Sequence, residues 1–327
     1  MSHVADWVVH CSDPLGSRGR PPRRQPRPEL ADMFVEQASA HGVLGALLQN
    51  FFPNRIEESF VAACESGRRR HRESAIFSLM LSREADAIGA ELAGLPVAVV
   101  KGPTFARTLY PRPSLRCFSD IDVLVAPAAF AKVSEVLHDR GFLLIESHPA
   151  SDPREWKWLH RENQTLMVEV QTDLIHAESL RKIVSLPYDV IAAKPQSPAA
   201  LLLVALVHGG GHHYQRLQHV VDICQAARLL QGAEEERRFE GMLRAANARF
   251  VAVVGLDLAA RMFREPRCRD LARAIGPVRF RRLSGLLLGG NSVMSSTDVN
   301  RGRHSWRRSA FRWLMKKTPS ISRLSTD

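Results

Sequence analysis

Two kinds of hydrophobic patterning alternate along this chain. Between about Pro28 and Leu95 apolar residues recur every three or four positions, within Glu29–Phe52, Glu57–Ala63 and Arg72–Leu92. That period predicts amphipathic helices, punctuated at Pro53 and Gly67, because proline and glycine interrupt helices. At Pro96 the period shortens. Val97–Val100 predicts a short buried strand running into Lys101-Gly102-Pro103. Proline is favoured at the first position of a helix, so Pro103–Tyr110 should be helical, stopped by Pro111 and Pro113. Ile121–Val125 predicts a strand, and Ala129–Arg140 a helix that Gly141 closes. Phe142–Ser147, Trp156–His160 and Thr165–Gln171 predict further strands, the last two a hairpin around Glu162-Asn163. From about Ser197 to Arg282 the helical period returns, over Pro198–His208, Leu217–Leu230, Glu235–Ala245, Val251–Arg264 and Asp270–Ile275. Helices, then a small mixed sheet, then helices again define an α+β fold. The expected divisions are a helical region over 29–95, a catalytic core over 96–195 and a second helical region over 196–290.

Charge sharpens the picture at the two ends. The chain has 327 residues and a net charge of +11. Five arginines (Arg18, Arg20, Arg23, Arg24 and Arg27) fall in a proline-rich stretch with no acid, which predicts a disordered basic arm over 1–28. Seven cations, from Arg301 to Lys317, again with no acid, mark a basic tail over 291–327. These twelve charges exceed the whole surplus, so the remainder is close to neutral and a broad nucleic-acid-binding face is disfavoured. In the tail Trp306, Phe311 and Trp313 interleave with the cations. A helix there would place Trp306, Ala310, Trp313 and Leu314 on one face, suited to an anionic membrane or an acidic partner. The five cysteines are scattered with no CxxC pair, which argues against a structural zinc. No apolar run approaches the roughly 20 residues of a membrane span. The start of the chain also lacks a secretory pattern, so the expected location is cytoplasmic.

Candidate chemistry begins at Ser119-Asp120-Ile121-Asp122. Side chains alternate along a strand, so Asp120 and Asp122 share a face with Cα atoms roughly 6.6 Å apart. Facing carboxylates repel unless a proton or cation joins them. Mg²⁺, which takes oxygen ligands and sits on one or two carboxylates with substrate phosphates, suits such a pair. Glu169, flanked by Val168 and Val170 in the hairpin strand, is an acid in an apolar setting and costly without a partner. Convergence of the three acids would make a site for two metal ions. Asp173 shares a strand face with Glu169 and is the rival third acid. Lys101 and Gly102, at a strand-to-helix turn, offer a charge and a close backbone approach for an anion.

The run VVKGPTFARTLYPRPSLRCFSDIDVLV, Val99 to Val125, resembles the signature of an uncharacterised nucleotidyltransferase family within the polymerase-beta-like superfamily. VEVQTDLIH (168–176) and LVHGGGHHYQRLQHVVDICQAARLL (206–230) extend the likeness, although Gln171 stands where that family usually has histidine. The resemblance implies transfer of a nucleoside monophosphate from an Mg-bound triphosphate, with ATP as donor, to a hydroxyl of a small molecule, peptide or protein. Carried over by position, Asp120 and Asp122 bind metal and Glu169 is the third acid. Lys101 and Gly102 then meet the triphosphate, with Arg116 and Ser119 close by. For Arg116 a salt bridge steadying the loop is an equal alternative. A non-catalytic protein that keeps this fold and binds nucleotide or a partner is the rival reading. A template-independent polymerase acting on RNA ends is disfavoured by the near-neutral core.

His208 and His212 lie four apart, but Gly209-Gly210-Gly211 between them argues against a regular helix turn and against a metal pair. Hydrogen bonding at a helix end, or a wall of the acceptor pocket, is the expected role. Asp222, on an apolar helix face, is expected to pair with a basic neighbour such as Arg216.

Overall fold

The structure, a computed structural model, describes residues 3–16, 21–53, 55–147, 155–175 and 178–295, together with 306, 307, 309–311 and 313–315. The first helices are α1 (His3–Cys11), α2 (Ala31–Ala40), α3 (Leu44–Asn50) and α4 (Glu58–Glu91). The middle of the chain alternates β1 (Val97–Val100), α5 (Gly102–Thr108), β2 (Ile121–Val125), α6 (Phe130–Asp139), β3 (Phe142–Ser147), β4 (Glu155–His160) and β5 (Met167–Gln171). Two one-turn helices, α7 (Glu178–Arg181) and α8 (Tyr188–Ile191), lead to α9 (Pro198–Gly211), α10 (Leu217–Leu229), α11 (Ala233–Ala245) and α12 (Arg249–Phe263). The series ends with α13 (Pro266–Ile275), α14 (Val278–Leu287) and α15 (Gly290–Met294). The fold is α+β, with one five-stranded mixed sheet and helices on both sides of it in sequence.

The sheet order is β1-β2-β5-β4-β3, with β2 and β5 parallel and the other neighbours antiparallel. Strand alternation divides its two faces. Val97, Val99, Ile121, Val123, Val125, Val168 and Val170 pack with α4 and α6 residues such as Leu81, Ile88, Val133 and Leu137. Ala98, Val100 and Leu124 turn the other way, into a core shared by the first helices and α9–α13. Asp122, Glu169 and Lys157 lie on that second face in one cross-strand row, Asp122 opposite Glu169 and Glu169 opposite Lys157. The acids therefore sit where the sheet meets the helices.

Three local expectations are corrected. Within the arm expected to be disordered, His3–Cys11 forms α1, and Val4, Trp7 and Val8 are buried in the main core. Its apolar spacing outweighs the proline-rich stretch behind it. Asp13, just past α1, is anchored by the Arg228 guanidinium at 2.6 Å. Arg18 and Arg20 lie outside the described residues, while Arg23, Arg24 and Arg27 are exposed. Gly67 does not punctuate a helix, since α4 runs unbroken for 34 residues. A Cβ on Gly67 would stand 3.1 Å from the Leu48 side chain and 3.3 Å from that of Val35, so the glycine lets α4 pack closely on α2 and α3. In the tail the apolar side is not free. Phe311 and Met315 are buried in the core, with Ala310 and Leu314 packed against it, and Trp306 and Trp313 are left exposed. Arg301, Arg303, Arg308, Arg312, Lys316 and Lys317 lie outside the described residues. Among the described residues no helix is long and apolar enough to cross a membrane.

Candidate active site

Each element delivers its functional group for a local reason. β1 ends at Lys101, which takes the left-handed backbone (φ 53°, ψ −130°) that non-glycine residues rarely adopt. That turn throws the chain into α5 and buries the Lys101 ammonium against Asp122, Nζ to Oδ1 2.5 Å. Gly102 follows because a Cβ there would stand 3.1 Å from the Asp120 carbonyl oxygen and 3.2 Å from the Phe118 ring. Its close approach is thus to the chain itself. The loop before Asp120 is held from two sides. Ser78 of α4 donates to the Phe118 carbonyl (3.0 Å) and accepts from its N–H (2.9 Å). Gln218 of α10 donates to the Cys117 carbonyl (3.2 Å).

Arg116 in the same loop is buried and forks onto Asp222, Nε to Oδ1 and Nη2 to Oδ2 both 2.9 Å. It also donates to the Gly102 carbonyl (3.3 Å) and lies over the Phe105 ring. Tyr110 donates to Asp222 as well (2.7 Å). Asp222 is therefore ion-paired as expected, but with Arg116 rather than Arg216. Asp173 accepts from the Ile175 and Leu186 N–H groups (2.8 and 3.1 Å) and from the Ser185 hydroxyl. It is buried and spent on its loop, and it does not line the cleft.

A cleft of about 490 Å³ opens over the acidic face, lined by Asp120, Asp122 and Glu169 on the sheet side, with Lys101, Gly102, Arg116 and Ser119 at the loop. Ser119 is exposed and makes no hydrogen bond from its hydroxyl among the described residues. The far wall comes from α9 and α10: His208, His212, Gln215, Arg216, Gln218 and His219. A larger hollow of about 630 Å³ lies over α4, β1 and α5. Apart from Lys194 and the Asp86–Arg107 ion pair it holds no charged chemistry.

The side-chain amide of Gln171, fully buried, donates from Nε2 to Asp122 Oδ1 (3.0 Å) and to Glu169 Oε2 (3.3 Å). It bridges the two acids, while its own Oε1 is buried without a hydrogen-bond partner among the described residues. Periodicity alone could not assign that clamp, although alternation does put Gln171 on the face of Glu169. Burial, followed by the neighbouring carboxylates Asp122 and Asp120, pushes the Glu169 carboxyl up to about 7. Burial and Asp122 raise Asp120 to about 6, with Lys101, Arg116 and Arg216 pulling the other way. This is a cluster short of positive charge.

Among the described residues no three His, Cys, Asp or Glu side chains form a ready-made cage for a metal ion. The donor set nonetheless fits Mg²⁺, which favours oxygen and usually takes only one or two protein carboxylates beside water and phosphate. Lys101 and Gln171 converge on Oδ1 of Asp122, and no hydrogen bond reaches its Oδ2 among the described residues.

The three histidines of the far wall were legible only in part. α9 runs straight through Gly209-Gly210-Gly211. A Cβ on Gly210 would stand 2.3 Å from Val251 Cγ1, and one on Gly209 3.0 Å from the Tyr214 ring. The glycines serve close helix packing instead of ending the helix, and so bring His208 and His212 onto one face. Their rings lie 4.7 Å apart, with His219 at 5.0 Å from His208 and 5.4 Å from His212.

No curated protein and no solved structure matches this chain. A family model described as uncharacterised nucleotidyltransferase matches residues 28–264, a span that holds the whole sheet and every residue of the cleft. By that match the chain belongs to this nucleotidyltransferase family.

Proposed function

We propose that this protein transfers a nucleoside monophosphate, with ATP as donor, to a hydroxyl of an acceptor molecule. The observation that carries the reading is the register of β2 and β5, which sets Asp122 opposite Glu169 beside Asp120 at one cleft. The acceptor oxygen attacks the α-phosphorus, the bond to the bridging oxygen breaks, and pyrophosphate leaves with that electron pair. Glu169, with a carboxyl raised toward neutrality, takes the hydroxyl proton, as a general base must have a pKa near the working pH. Asp120 and Asp122 would hold Mg²⁺; where a second ion takes Glu169 as a ligand, the hydroxyl proton passes to solvent instead, because a metal-bound carboxylate is a poor base. When bound, the metal neutralises the phosphates and lowers the charge built up on the leaving group. Lys101 tempers the charge on Asp122, and Gln171 keeps Asp122 and Glu169 at a fixed separation.

The test is Mg²⁺-dependent release of pyrophosphate from an NTP. Asp120→Asn and Asp122→Asn should each lower it by about 10²–10³-fold, the range that loss of electrostatic stabilisation costs. Full turnover in both variants, with an acceptor found, removes the assignment.

One observation favours a second reading, a non-catalytic nucleotide-binding protein. Asp122 already carries an internal counter-ion in Lys101, so a divalent cation must compete for it. Calorimetry with ATP and Mg²⁺ separates the two, since saturable binding without turnover across many acceptors supports the second.

A further inference from the structure

The two cations that the sequence assigns to the phosphates are both taken. Lys101 is buried on Asp122 and Arg116 on Asp222. Across the cleft, Arg216 at the N-cap of α10 is exposed, and its guanidinium makes no hydrogen bond or ion pair among the described residues. It lines the same cleft as Asp120, Asp122 and Glu169.

Beside it stand the stacked and edge-on rings of His208, His212 and His219. Burial keeps His208 and His219 neutral, helped for His208 by Lys101, the neighbouring histidines and Arg116, and for His219 by His212, Arg216, Arg116 and Lys101. His219 Nδ1 is buried without a hydrogen-bond partner among the described residues. Imidazoles in a positive potential, next to an unpaired guanidinium, favour an anionic, oxygen-rich group over a cationic or apolar one. The sheet side of the cleft is net acidic, with Asp120, Asp122, Glu155 and Glu169 against Lys101 and Lys157.

We propose that Arg216, with the imidazole wall behind it, seats the terminal phosphates of the nucleoside triphosphate across the cleft from Asp120, Asp122 and Glu169. The proposal rests on the nucleotidyl-transfer reading above and moves the phosphate-holding cation from the Lys101-Gly102 turn to the helical side. A guanidinium suits this seat because its planar fork pairs two phosphate oxygens at once.

The test uses the full chain and inorganic tripolyphosphate, titrated calorimetrically without Mg²⁺ at about 0.15 M salt, where exposed charges more than roughly 8 Å apart are screened. The parent should bind saturably. Arg216→Gln, a change at an exposed side chain, should weaken binding by about ten- to a hundredfold, the range for one charge-assisted hydrogen-bond pair. Arg216→Lys should recover part of the loss, as a point charge without the fork. Both variants keep the basic tails, so binding there cancels in the comparison. Equal affinity in Arg216→Gln and parent, or no saturable binding by the parent, overturns the proposal. Pyrophosphate release is measured separately. A parent that binds tripolyphosphate through Arg216 but turns over no NTP keeps the anion seat and loses the transferase reading. Turnover with unchanged tripolyphosphate affinity in Arg216→Gln loses the seat alone.

Discussion

Glu169 is an acid that the fold holds against its own preference. With its carboxyl at about 7 and Asp120 at about 6, against roughly 4 in an unfolded chain, the native state keeps protons that the unfolded state has released. Between about pH 4 and 7 the unfolded chain therefore binds fewer protons than the native one, and stability falls as pH rises through that window. Glu169→Gln removes the charge while leaving an amide oxygen to accept from Gln171. In metal-free buffer at pH 8 the variant should unfold at a higher temperature than the parent, by about 1 kcal/mol after allowing for solvent screening, or roughly 2–4 °C. At pH 3 the two should nearly coincide, because the parent carboxyl is then largely protonated in both states. Calorimetric melts at the two pH values check this, and a variant no more stable than the parent at pH 8 would remove the repulsion. The acids themselves were legible in the sequence, because a carboxylate inside an apolar strand is costly and invites the question of its partner. Which of Glu169 and Asp173 serves the cleft depends on the Ser185–Leu186 loop that satisfies Asp173, and no local pattern encodes that loop.

Among the elements, the strands were the easier part. Ile121–Val125 is buried along its length, and its apolar run announces its own ends. Glycines inside helices were harder, since their local cost reads as an interruption whereas their benefit lies in another helix. Gly210 meets Val251 of α12, and Gly255 of α12 meets the Tyr214 hydroxyl and Leu206, with Cβ positions 2.7 and 2.8 Å away. Tyr214 is itself fully buried, at φ 52°, and donates to the Val251 carbonyl (3.0 Å). The helix crossing that carries His208 and His212 to the cleft thus depends on missing side chains. Gly210→Ala should destabilise by about 1–3 kcal/mol through overpacking, although alanine is the better helix former by about 1 kcal/mol. Gly89→Ala, in α4 with open space around its Cβ, should instead stabilise by about 0.5–1 kcal/mol. Urea midpoints of the two variants, moving in opposite directions, separate packing from propensity. If both rise, the close approach of α9 to α12 is not rigid.

On the scale of the whole molecule, the cleft exists because the sheet and the helices are tied together beneath it. Val100 and Leu124 share a core with α9 and α10, and the Tyr110–Asp222–Arg116 cluster locks the loop before Asp120 to α10. That tie was not readable from the chain. The nearest cations to Asp222 in sequence, Arg216 and Arg228, stand six residues to either side, while its true partner is 106 residues away, because burial selects the partner that the sheet brings close. Removing the acid isolates the consequence. Asp222→Ala leaves the Arg116 guanidinium buried without its carboxylate, and should cost about 3–5 kcal/mol. Replacing the pair with apolar groups, Arg116→Met with Asp222→Leu, should return much of that stability, since a buried pair is often matched by well-packed hydrophobic residues. The cycle of parent, Arg116→Met, Asp222→Leu and the double variant, measured by denaturant unfolding, gives the coupling directly. A double variant as unstable as the sum of the singles would mean that the two side chains act independently. Pyrophosphate release then reports on the site. If the fork sets the position of Asp120, the double variant regains stability but not turnover. Regained turnover would mean that packing alone holds the loop.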